Sequence, residues 1–194
     1  NEIDGSNEYG IQVYGVERAN LTNSVGKFSG KTGGEANILV GATNLTLVEN
    51  DATNGDGDGV EIRDARSATI RNNTVGGNDA TDFRLSNTTT LAVENLDLLN
   101  YGVSFDGRNV SVSLNDTGAI LPGSYEAVRL LNAGKTHSDG FANLTMTYSE
   151  ARVTSELGLN ESTLALWTYT GNWSQVPEPV FDTVVNTLAV NVTT

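Results

Sequence analysis

Over its first 117 or so residues, the chain repeats one pattern of apolar and polar positions about every 23 residues. An apolar-x-apolar pair follows a small residue, then a turn, then a second pair that runs into asparagine. The first pairs are Ile11/Val13, Ile38/Val40, Val60/Ile62, Phe83/Leu85 and Val103/Phe105. The second fall at Leu21, Leu45/Leu47, Ala68/Ile70, Leu91/Val93 and Val110/Val112, with Asn23, Asn50, Asn72/Asn73, Asn95 and Asn115 close behind. A fixed period of this size marks stacked supersecondary units. The period-2 alternation inside each phrase makes those units strands.

The turns are rich in Gly, Asn and Asp, which supply positive φ at low steric cost. Asparagines at one corner of successive rungs are expected to stack and bond the backbone above and below, with Asn72 and Asn95 as the readable case. The longest turns are expected at Gly26–Glu35 and Asn50–Gly59. Long solenoid turns collect on one face, often the binding face.

After Leu121-Pro122-Gly123 the period disappears. Val128-x-Leu130, Ala142-x-Leu144-x-Met146, Leu164-x-Leu166, Trp173 and Leu188-x-Val190 then alternate as antiparallel strands with one buried face. No stretch reads as a convincing helix.

The repeated phrase resembles the parallel β-helix family that includes pectate-lyase-like and NosD-like secreted proteins. The resemblance implies a right-handed parallel β-helix of about five rungs over residues 1–120. Asn143-Leu-Thr-Met-Thr-Tyr148, Leu159-Asn-Glu-Ser-Thr-Leu164, Leu166-Trp-Thr-Tyr-Thr-Gly-Asn-Trp173 and Asp182-Thr-Val-Val-Asn-Thr-Leu188 resemble a module of haloarchaeal cell-surface proteins. That likeness implies an antiparallel β-sandwich-like surface module over residues 121–194. The fold expectation is therefore all-β. Asn1-Glu-Ile-Asp-Gly already reads as a mid-rung phrase. An open rung exposes strand edges, so a neighbouring domain or another copy of the chain is expected against it.

Composition narrows the function classes. The formal net charge is −13, with only Lys27, Lys31 and Lys135 as lysines. Such a chain repels nucleic acid and anionic membrane surfaces. Acid-rich, lysine-poor usage resembles that of halophilic archaea. There is no cysteine, so no disulfide or thiolate chemistry is available. No run of 18 apolar residues spans a membrane. Sequons stand at Asn20, Asn44, Asn72, Asn87, Asn109, Asn115, Asn143, Asn160, Asn172 and Asn191, where this composition would give about four by chance. The excess points to an extracellular, glycosylated cell surface, although Asn-Leu-Thr-Leu phrases also create sequons through strand and turn chemistry.

The sharpest chemical cluster is Asn54-Gly-Asp56-Gly-Asp58-Gly59-Val60-Glu61. Its alternating oxygens, with glycine at the sixth place, copy the first half of a calcium loop. Asn54, Asp56, Asp58, the Val60 carbonyl and Asp64 would be the ligands. The twelfth place is Ala65 rather than the usual Glu. A hydrated acidic turn is the competing reading.

Polysaccharide cleavage is the enzymatic idea that the resemblance implies. Asp58-Gly-Val-Glu-Ile-Arg63 faintly resembles the Asp-Gly rung of β-helix hydrolases, but the neighbouring Asp pair and the His-Gly element are missing. Glu61, Arg63, Arg84, Asp106 and Arg108 are the stacked candidates, and Glu61, Arg84 and Ser104 are expected at equivalent outward places. A salt-bridged outer face explains that stripe as well. His137 reads as a solvated loop residue, and Trp167 and Trp173 read as core before sugar platform.

The expectation is a non-catalytic structural or binding segment of an adhesin- or fibre-like surface protein. Its partners would be copies or neighbouring domains of the same assembly, and glycans. A calcium-dependent lyase or hydrolase is the alternative, and a viral spike segment of a halophile the third reading.

Overall fold

The computed structural model describes residues 2–4, 10–27, 36–99, 101–114, 131–148, 150–156, 158, 160–169, 172–176, 179–183 and 186–192. The repeat builds a solenoid. Its strands are β1 (Glu2–Asp4), β2 (Ile11–Thr22), β3 (Val25–Lys27), β4 (Ile38–Val48), β5 (Asp51–Thr53), β6 (Val60–Arg63), β7 (Ser67–Arg71), β8 (Thr74–Gly76), β9 (Phe83–Ser86) and β10 (Leu91–Leu98).

They stack in parallel on three faces. On the first, Ile11, Ile38, Val60 and Phe83 stand one above another. On the second, Leu21, Leu47, Ile70 and Val93 do so. The third carries Glu2, Val25, Asp51, Thr74 and Asp97. The long strands β2 and β4 bend across the first two faces. Val60 pairs with Phe83 and Asp51 with Thr74, each 23 positions on, so the sequence period is the length of one coil.

Parity decides what is buried. Ile38, Val40, Val60, Ile62, Phe83 and Leu85 point inward and have no exposed surface. Each side chain of this size contributes roughly 1.5–3 kcal/mol when taken out of water. The corners between faces need left-handed backbone. Asn23, Glu49, Asn72 and Asn95 form one corner column, and Asp64, Asn87 and Asn109 another, all with φ between +49° and +60°. Asn and Asp tolerate that region better than other side chains.

Two expectations about the repeat change here. The turn expected over Asn50–Gly59 contains β5, a strand of the third face, so the true turn is shorter. The fifth phrase does not add a parallel rung. Strand β11 (Gly102–Arg108) runs antiparallel to β10, with Val93 opposite Phe105. Strand β12 (Val110–Leu114) runs antiparallel to β9, with Val112 opposite Phe83. The chain turns back at Tyr101, whose carbonyl accepts the Leu98 N–H at 2.9 Å. The Phe105 ring meets Phe83 edge-on at 5.9 Å between centroids, so the reversed strand still closes the same core.

The later strands continue these faces. Strand β13 (Leu131–Lys135) pairs with β12, and β14 (Phe141–Thr147) pairs with β11. Strands β15 (Trp167–Tyr169) and β16 (Trp173–Gln175) form a separate hairpin. Strand β17 (Val180–Asp182) pairs with β18 (Thr187–Val192), and β18 pairs with β14. Ala142 and Leu144 belong to the same buried cluster as Ile38 and Phe83, with Leu131, Ala133 and Met146 packed against it. The apolar pattern at Ala142–Met146 and Leu188 thus falls on strands, whereas Leu164–Leu166 lies outside any. Val128-x-Leu130 and the 120/121 boundary lie outside the described residues. Two short helical turns, Arg152–Glu156 and Glu161–Thr163, stand where no helix was expected, the first anchored by the fully buried Val153.

Candidate functional site

The first cluster lies outside the first face. Glu61 on β6 stands beside Arg84 on β9, one coil on. Arg63 grips Glu61 with two parallel bonds, Nε to Oε1 at 2.8 Å and Nη2 to Oε2 at 2.7 Å. Arg84 lies 3.4 Å from Asp58 Oδ2 and 3.8 Å from Glu61 Oε1. Both acids are 5% exposed. Burial pushes the Asp58 carboxyl up from its ordinary value, Arg84 opposes that, and the neighbouring Glu61 charge adds to it. Guanidinium groups from two adjacent coils thus clamp the two carboxylates of one coil.

The outward equivalence of Glu61 and Arg84 holds, but Ser104 is not the third member. It faces Thr145 on β14, and Ser111 takes the place beside Arg84. The reversal at Tyr101 displaced it. Arg108 sits apart, against Asp139 at 3.4 Å and 5.4 Å above the Phe141 ring, and Asp106 stands beside Asn143. The Asn109 amide and Arg108 hold the Asp139 carboxyl below its ordinary range.

The five calcium candidates divide between separate places. Asn54 and Asp56 are exposed at one corner, and Asp58 turns to Arg84. Val60 is laddered between Ile38 and Phe83, which commits its backbone to strand pairing. Asp64 occupies the next corner, where it accepts from Asn87 Nδ2 at 2.6 Å and from the Tyr14 hydroxyl at 3.3 Å. Among the described residues no three His, Cys, Asp or Glu side chains come together as a metal site.

The glycines of the same loop have a packing role. The buried Asn37 amide donates to Asn78 Oδ1 at 2.9 Å, and Asn78 donates to Asp82 Oδ1 at 3.0 Å. Gly55 N–H also donates to Asn78 Oδ1, at 2.9 Å. A Cβ on Gly55 would lie 2.6 Å from Asn37 Oδ1, and one on Gly59 would lie 2.5 Å from the Asp82 carbonyl. This network was missed because its members are 41 and 4 residues apart and share no phrase.

A groove of about 300 Å³ crosses the corner between the first two faces. The Cδ2–Cε2 side of the Tyr14 ring packs against Gly41, where a Cβ would collide with it. Val16, Glu17, Thr43 and Asp64 line the rest. The sequence signal was a glycine in an outward place directly opposite a tyrosine, Gly41 beside Tyr14.

The sequons also separate. Asn20, Asn72, Asn87, Asn143, Asn160 and Asn172 are exposed, and Asn44 is half-buried. Asn72 and Asn87 have side-chain partners, Asn95 and Asp64 respectively. Asn109 is 5% exposed and committed, accepting from Thr88 N–H and donating to Asp139 at 2.7 Å. Asn191 lies on β18 opposite Asn143. Asn115 lies outside the described residues. His137 is exposed and Trp167 half-buried.

A family model for the right-handed β-helix region matches residues 1–120. No curated protein and no solved structure matches the chain.

Proposed function

We propose, on the premise that the chain belongs to the right-handed β-helix family, that it is a non-catalytic, extracellular structural or binding segment. It would belong to an adhesin- or fibre-like surface protein of a halophilic archaeon, with residues 121–194 as its sandwich-like surface module. One observation carries the reading. The two carboxylates of the stacked charged cluster are spent on arginines, Glu61 on Arg63 of its own strand and on Arg84 of the next coil, and Asp58 on Arg84. The excess of sequons and the charge of −13 support a surface location in strong salt. Partners would be neighbouring copies or domains, and glycans.

A calcium-dependent polysaccharide lyase or hydrolase is the second reading. It is favoured by a carboxyl raised by burial beside a second, ion-paired one. That is the division of roles acid–base chemistry needs. Calcium would have to draw Asp58 away from Arg84. Incubation with acidic polysaccharides, with and without calcium in molar salt, separates the two. Unchanged chains are expected. New reducing ends or unsaturated uronates would overturn the structural reading.

A further inference from the structure

We propose that the groove under Tyr14 is a binding site for a cationic side chain, an arginine or lysine of a protein partner. The inference rests on the reading of this chain as a binding segment and names what one part of its surface takes. The Cδ2–Cε2 side of the Tyr14 ring is held against Gly41, and the residue as a whole remains 54% exposed. A ring held along one side and tethered by its hydroxyl to Asp64 offers exposed π surface at little ordering cost. Cations are drawn to such a face within about 6 Å.

Two carboxylates flank it. Asp64 receives only neutral donors, the Tyr14 hydroxyl and the Asn87 amide. Glu17 is exposed, and its side chain has no basic partner among the described residues. Arg66 turns to the Asn87 carbonyl instead, at 2.9 Å. Val16, 39% exposed, gives apolar contact for the methylenes of a long basic side chain. Thr43 adds a hydroxyl on the same rim. A neutral sugar would use the ring but leave both charges uncompensated, whereas a guanidinium uses all three groups.

The test is a titration of the whole chain with N-acetyl-arginine methylamide, followed through the methyl resonances of Val16, which lines the same groove in the wild type and in every variant. The citrulline analogue serves as the neutral isostere. Saturation at about millimolar concentration is expected. The citrulline compound should bind at least about tenfold more weakly. Tyr14→Leu and Asp64→Asn should each weaken binding roughly threefold to tenfold. Asparagine keeps the left-handed corner of Asp64, and Glu17→Gln at an exposed place gives a third variant that leaves the fold alone. Equal binding of the two compounds, indifference to all three variants, or tighter seating of a neutral oligosaccharide would overturn the proposal. Such a failure removes the ligand and leaves the structural spacer standing. Polysaccharide cleavage would remove the parent reading and leave this titration to be judged alone.

Discussion

The side-chain amide of Asn50 donates to Oδ1 of Asn73, one coil on, at 2.9 Å, and both residues are buried. The same oxygen takes the Asn50 backbone N–H at 3.0 Å, while Asn73 Nδ2 donates to the Leu47 carbonyl at 2.9 Å. Below, Asn50 Oδ1 accepts from Ser24 N–H at 3.0 Å. The amides thus satisfy backbone groups that the corner leaves without a strand partner. The exposed pair Asn72 and Asn95 is joined at 3.2 Å, but at the outer side of that corner.

Asn73→Ala should therefore cost about 2–4 kcal/mol, because two donors of Asn50 lose their acceptor inside the protein. Asn72→Gly keeps the left-handed backbone and removes only an exposed bond. It should stay within about 0.5 kcal/mol of the wild type. Urea midpoints at constant slope check the contrast, and equal effects would refute the buried ladder as a stabilising element.

Gly59→Ala and Gly158→Ala oppose two reasons for glycine. The first would press its Cβ to 2.5 Å from the Asp82 carbonyl and the Asn78 amide nitrogen. A loss of about 2–3 kcal/mol is expected, as for overpacked sites. The second sits at φ +64° with nothing within 4 Å. Only the left-handed backbone penalty of about 1 kcal/mol applies there. Thermal unfolding of both variants decides it.

Asp58 should make stability fall as the pH rises. Its folded carboxyl titrates above the ordinary value, with burial the leading cause. A raised folded pKa stabilises the protein at pH below the unfolded value, and that gain disappears as pH climbs through the folded one. Melting temperatures of the wild type and Asp58→Asn across the acid range should converge at neutral pH less closely than at low pH. A difference independent of pH would show that Arg84 has cancelled the burial.

Secretion from a glycosylating host should place sugar at Asn20 and Asn143 and leave Asn109 bare. The first two are exposed on outer strand positions, and the third is buried with its amide on Asp139. Glycopeptide mapping reads each site. Sugar on Asn109 in folded protein would contradict its burial.

Much of the solenoid was legible because one physical rule repeats. Ile38, Val60 and Phe83 share a column, as do Leu47, Ile70 and Val93, and a spacing of one coil length brings each set together. The third face was harder to see. Asp51–Thr53 and Thr74–Gly76 are short and polar, with a single inward residue each, Ala52 and Val75. The residues of the candidate calcium phrase lie apart for a related reason. Side chains close in sequence point away from one another when a corner and a strand separate them, as Asp58 and Asp64 do.

The sequence by itself determined the coil length, the inward residues and the corners, because alternation and left-handed asparagines are local properties of the chain. Only the tertiary structure decided direction and partnership. Gly102–Arg108 carries the same alternation as the rungs before it, yet it runs antiparallel to β10. Alternation assigns a side chain to a face and is blind to the sense of the neighbouring strand. The meeting of Glu61 with Arg84, and of Tyr14 with Asp64, likewise depends on which coil lies next, and that is fixed only when the core closes.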